Sequence, residues 1–71
     1  MKATNNNVVG NRIRSLRESK GITQVEMCVY FGVTQSNYSR LEKCDKRIDI
    51  QQLVIFGKVL DTTIYYLLFG I

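Results

Sequence analysis

Three times in this chain the same local device announces the start of a helix. In ITQVEM, Thr23 can cap a helix and Glu26, three residues later, can return its side chain to the Thr23 amide. Ile22 and Met27 flank the pair. In IDIQQL, Asp49 and Gln52 repeat the arrangement between Ile48 and Leu53. Between these two, Val33-Thr34 supplies another cap, with Val33 placed to reach Tyr38. Such a capping box satisfies two of the amides that a helix start leaves without partners, and the apolar pair around it fixes the angle of entry. Starts this close together commit the chain to short helices.

The stops agree with the starts. Gly21 and Gly32 stand where a left-handed residue would close a helix. The 3.6-residue apolar period then predicts a first helix over about Val8 to Ser19, with Val9, Ile13 and Leu16 on one face. A second is expected over Gln24 to Phe31, and a third from Gln35 to about Lys43. The fourth should run from Asp49 to about Leu60, burying Ile50, Leu53, Phe56 and Leu60. Gly57 inside it costs about 1 kcal/mol relative to Ala, so close helix packing is expected there. Thr63 opens a last short helix, IYYLLF, ending at Gly70. The fold expected is all-α: one compact bundle of five short helices over residues 8–71, preceded by a flexible arm at 1–7.

Composition narrows the function classes. The 71 residues include ten Lys/Arg and six Asp/Glu, a net charge of +4 that permits approach to a phosphate backbone. With no His and no nucleophile beside a base, the chain does not read as an enzyme. Cys28 and Cys44 without His make a poor metal set and are expected to be reduced thiols. No cofactor or metal is expected. The apolar runs are too short to span a bilayer and MKATNNNVVG lacks the apolar core of a signal peptide, so a cytoplasmic protein is expected. Aromatic stacking platforms for single-stranded RNA are missing too.

Two short helices joined by a few residues containing Gly form a helix-turn-helix unit, the second of which can enter a major groove. The chain resembles the Cro/repressor-type, XRE-like helix-turn-helix family and its lambda-repressor-like fold over about residues 8–70. Ile13, Leu16, Arg17, Gly21-Ile22-Thr23-Gln24, Met27 and Gly32-Val33-Thr34 carry the resemblance. So do Ser39-Arg40-Leu41-Glu42, Leu53, Leu60, Thr63 and Leu67-Leu68.

The resemblance implies a role for each matching position. Gln35, Ser36, Ser39 and Arg40 would read base edges; Gln can pair with adenine and Arg with guanine through two bonds at once. Gln24 would hold a phosphate. Asn37, to one side of the reading face, and Lys43, Lys46 and Arg47 beyond it would also contact the backbone. Arg17 and Glu42 match a salt bridge joining helix one to helix three, with a remaining Arg17 N–H left to face a phosphate. Tyr38 and Leu41 fall on the opposite side and are expected in the core, the Tyr38 hydroxyl reaching a polar edge. Met27 and Cys28 are expected there as well. Cys44 replaces a frequent Gly, so the end of helix three is expected to differ from the family's.

The C-terminal half carries more apolar side chains than a small core needs. Ile55, Val59, Tyr65, Leu68, Phe69 and Ile71 are expected to form a dimer interface, and the resemblance implies dimerisation through the last helices. The expected function is a sequence-specific regulator of transcription, a repressor acting as a homodimer on pseudo-palindromic double-stranded operator DNA. The alternative is an antitoxin-like protein-binding module that also binds its own promoter.

Overall fold

A computed structural model describes residues 4–43 and 48–71. It contains α1 (Thr4–Ser19), α2 (Gln24–Phe31), α3 (Gln35–Lys43), α4 (Ile50–Val59) and α5 (Ile64–Phe69), with no strand among the described residues. The calls on Cys44, Lys46 and Arg47 lie outside the described residues.

The helix starts are built as their local chemistry requires. The Thr23 hydroxyl accepts from the Glu26 amide at 3.1 Å and the Glu26 carboxylate accepts from the Thr23 amide at 2.7 Å. Asp49 and Gln52 make the same reciprocal pair at 2.8 and 3.0 Å. Thr63 caps α5 by accepting from the Tyr66 amide. The stops match as well: Gly21, Gly32 and Gly70 all adopt positive φ. At the end of α1 the Ile22 amide donates back to the Arg17 carbonyl, closing the helix around Gly21.

Two expectations are corrected. α1 begins at Thr4, four residues before the expected start. The tract TNNN has no apolar period to reveal a helix, yet it holds no Gly or Pro that would stop one. Ile50 is 67% exposed. It shares a face with Leu53 by spacing, but it is the first helical residue. Side chains lean toward a helix N-terminus, which carries Ile50 past the end of the packed layer.

Every helix contributes to one core of Ile13, Met27, Tyr38, Leu41, Leu53, Phe56, Leu60 and Leu67. Each such side chain contributes about 1.5–3 kcal/mol relative to exposure. Half-buried Phe31 packs against Tyr38 and Phe56 of this core and so joins α2 to α3 and α4, with ring centroids 4.6 to 6.1 Å apart in tilted arrangements. Val9, Leu16, Ile22, Cys28, Val33 and Ile48 pack around this core half-buried.

Gly57 answers its expectation in a different way. The close neighbour is the chain's own next turn: a Cβ on Gly57 would stand 3.1 Å from the Thr62 carbonyl oxygen. The Thr62 amide donates to the Gly57 carbonyl at 2.9 Å, and Asp61 between them takes φ +55 to turn the chain into α5.

Candidate nucleic-acid interface

The turn between α2 and α3 is Gly32-Val33-Thr34. Gly32, at φ +64, returns its amide to the Cys28 carbonyl at 2.8 Å. Thr34 then starts α3: its hydroxyl accepts from the Asn37 amide at 3.2 Å and its carbonyl from the Tyr38 amide at 2.9 Å. The direction of α3 is therefore set within the turn, by backbone bonds and the Thr34 hydroxyl.

α3 has two opposed faces. At 100° per residue, Gln35, Ser36, Ser39, Arg40 and Lys43 occupy an arc of about 140°. Gln35, Ser36, Arg40 and Lys43 are exposed and Ser39 is half-buried. Tyr38, Leu41 and Glu42 are buried on the other side. Asn37 lies at the flank, half-buried. The four expected base-reading residues and Lys43 thus share one side of one helix.

Behind them, α3 is fastened by a buried polar set. Arg17 Nε donates to Glu42 Oε2 at 2.5 Å and Nη2 to Oε1 at 3.2 Å, a two-point fit between fork and carboxylate. Nη1 donates to the Ile22 carbonyl at 2.8 Å, and the Tyr38 hydroxyl donates to Glu42 Oε2. Arg17 and Glu42 are 7% and 6% exposed. The hydrogen bond to Glu42 raises the Arg17 guanidinium above its ordinary value, against the opposing effect of burial. Burial first, and then the bond to Glu42, pushes the Tyr38 phenol above its usual range. The Arg17–Glu42 bridge is therefore present. Tyr38 is its third member, a partner that the i, i+4 spacing from Tyr38 to Glu42 could have suggested.

At the N-terminus of α2 the capping box occupies the amides of Thr23 and Glu26. Gln24, half-buried, is the first helical residue there. The six residues expected at a dimer interface divide between two surfaces. Ile55 and Val59 are half-buried and line a depression of about 460 Å³ with Tyr30 and Lys58, between α2 and α4. Tyr65, Leu68 and Phe69 line another of about 380 Å³ with Ile64, on α5, and Ile71 beyond it is 82% exposed. Among the described residues no helix is long and apolar enough to cross a membrane.

The helix-turn-helix family model matches residues 13–67. The chain belongs to the XRE-type helix-turn-helix family. Two relatives agree. An uncharacterised HTH-type transcriptional regulator of Rickettsia conorii is 32% identical over 63 residues, covering 89% of this chain and 50% of that protein. Another such regulator, of Rickettsia prowazekii, is also 32% identical over 63 residues, covering 89% of this chain and 48% of that protein. The chain thus spans about half the length of the curated relatives it matches. No solved structure matches it. In this XRE-type chain the match contains both α2 and α3 and every residue of the buried Arg17–Glu42–Tyr38 set.

Proposed function

We propose that this XRE-type chain is a cytoplasmic, non-enzymatic regulator of transcription that places α3 in the major groove of double-stranded DNA. One observation carries the reading. A capped helix, held from behind by a buried ionic set, presents Gln35, Ser36, Ser39 and Arg40 together on one side. Gln35 and Arg40 carry the forked groups suited to adenine and guanine, while Ser36 and Ser39 supply shorter hydroxyl contacts. Lys43 follows them toward the phosphates, with Lys46 and Arg47 assigned the same role, and Asn37 contacts the backbone from the flank. Gln24 and the amides of the first turn of α2 receive a phosphate on the other side of the groove. Arg17 serves chiefly by holding α3, since three of its N–H groups already have protein acceptors.

The working form is a homodimer joined through Tyr65, Leu68 and Phe69 of α5 and Ile71 beyond it, with the separate patch of Ile55 and Val59 on α4 assigned to the same interface. Two reading helices about 34–36 Å apart meet successive major grooves on one side of a pseudo-palindromic operator. Repression follows by occlusion of the promoter. Selecting sites from random duplexes at a stated salt concentration tests this. Recovery of two related half-sites one helical turn apart is the expected result. Equal binding to selected and bulk genomic duplexes rules out sequence-specific reading.

A second reading, an antitoxin-like module that also binds its own promoter, is favoured by the depression between α2 and α4. Its apolar lining of Tyr30, Ile55 and Val59 lies apart from the α5 depression and suits a protein partner. Stable co-purification of one defined second chain in fixed proportion would favour it over the simple regulator.

A further inference from the structure

α1 is the helix that packs against both α3 and α5. It holds α3 through Arg17. Five residues earlier, and so about 140° around the helix, Arg12 reaches toward α5. Its Nη1 donates to the Leu67 carbonyl at 3.1 Å, in the last turn of α5. That carbonyl is among those a helix end leaves without an amide partner, and a cation there also suits the negative end of the helix dipole.

A second observation shows how closely the parts fit. Gly70 ends α5 at φ +76, and a Cβ placed on it would stand 2.8 Å from Arg12 Nη2 and 3.1 Å from Cζ. The guanidinium therefore lies against the backbone of Gly70 where any other residue would project a carbon. Arg12 holds the end of α5 by a directed bond and by contact with Gly70, whose positive φ favours glycine.

We propose that Arg12 is a positioning residue that fixes the angle between α5 and the reading helix, and so the half-site spacing that the dimer accepts. This rests on the reading of α5 as the dimer surface. In a two-fold dimer the distance between reading helices follows from how each protomer's contact surface is set relative to its own α3. The molecule's shortest extent is 21 Å. Over a lever arm of about 20 Å, a tilt of about 5° in each protomer moves the two copies of α3 roughly 3.4 Å relative to each other, the rise of one base pair. Small freedom at the α1–α5 contact therefore becomes a whole step along the operator.

The test uses duplexes carrying two selected half-sites at separations varied one base pair at a time, with a single half-site as control. Wild type is expected to prefer one separation about tenfold over its neighbours. Arg12→Ala should bind the single half-site within about twofold of wild type while that preference falls to about twofold or less. Arg12→Lys, which keeps the charge and stem but not the planar fork, should fall between them. If Arg12→Ala keeps the wild-type profile, or weakens every duplex alike, Arg12 is only a structural cap. Should Arg12→Ala fail to fold, an undiminished preference in Arg12→Lys overturns the proposal. A wild-type protein indifferent to separation overturns the dimer reading, and this inference with it.

Discussion

α3 and α5 place polar and apolar groups in opposite ways. In α1–α3 an ionic pair and a phenol are buried and α3 shows solvent amides, hydroxyls and a guanidinium. On α5 the buried residue, Leu67, is apolar, and the outside is apolar too: Tyr65 is 69% exposed and Phe69 62%. The two aromatic rings of α5 even lie against each other on the surface, their centroids 6.0 Å apart. Surfaces of such different character suit different partners. One suits the hydrogen-bonding edges of a groove; the other suits an equally apolar partner, in the proposed function a second copy.

The contrast is broken most strongly from inside. Arg17→Ala leaves Glu42 buried with only the Tyr38 hydroxyl, and should cost about 3–5 kcal/mol in urea unfolding. Affinity for a selected operator should fall with it, because α3 loses its anchor. Weaker DNA binding at an unchanged melting temperature would disconnect the bridge from the fold. Phe69→Lys attacks the other half. It should weaken self-association by about 2 kcal/mol or more in sedimentation, with monomer stability changed by no more than about 0.5 kcal/mol. A large loss of monomer stability would place Phe69 in the fold rather than at an interface.

Finer changes sharpen the picture. Arg40→Ala should remove about 1–3 kcal/mol of preference at one base position and little elsewhere, as read by repeating the site selection. Lys43→Ala should weaken all duplexes alike and lower the salt slope of binding by about 1. Alkali provides the smallest effect. The Tyr38 phenol is raised on folding, so its contribution is fully present below the unfolded tyrosine value near about pH 10. It is lost as pH rises from there, because the folded state then holds a proton that the unfolded state has released. Thermal unfolding in Tyr38→Phe should therefore decline less steeply above that pH than in wild type.

How much of this was legible in the residues depended on distance along the chain. The bounds of α2 and α3 came out as the caps foretold, because Thr23 with Glu26 and Thr34 with Asn37 are contacts over three residues. The end of α4 and the whole of α5 followed in the same way. The start of α1 did not, since an Asn tract offers no period to read. The burial of Ile50 was misjudged because spacing gives a direction around a helix and says nothing of what stands beyond its end. The Arg17–Glu42 bridge spans 25 residues and came only through family resemblance. Arg12 with Leu67, 55 residues apart, had no local signal at all. The grouping of Gln35, Ser36, Ser39 and Arg40 was readable from helical geometry, whereas the division of the apolar surface in two required the packing of α2 beside α4.

The aromatic triangle has a practical use. The chain has no tryptophan, so its near-ultraviolet signals come from tyrosine and phenylalanine. Tyr38 is fully buried beside Phe31 and Phe56, with its hydroxyl tied to Glu42. Its circular dichroism band is a built-in reporter of whether α2, α3 and α4 remain docked, and it needs no added label.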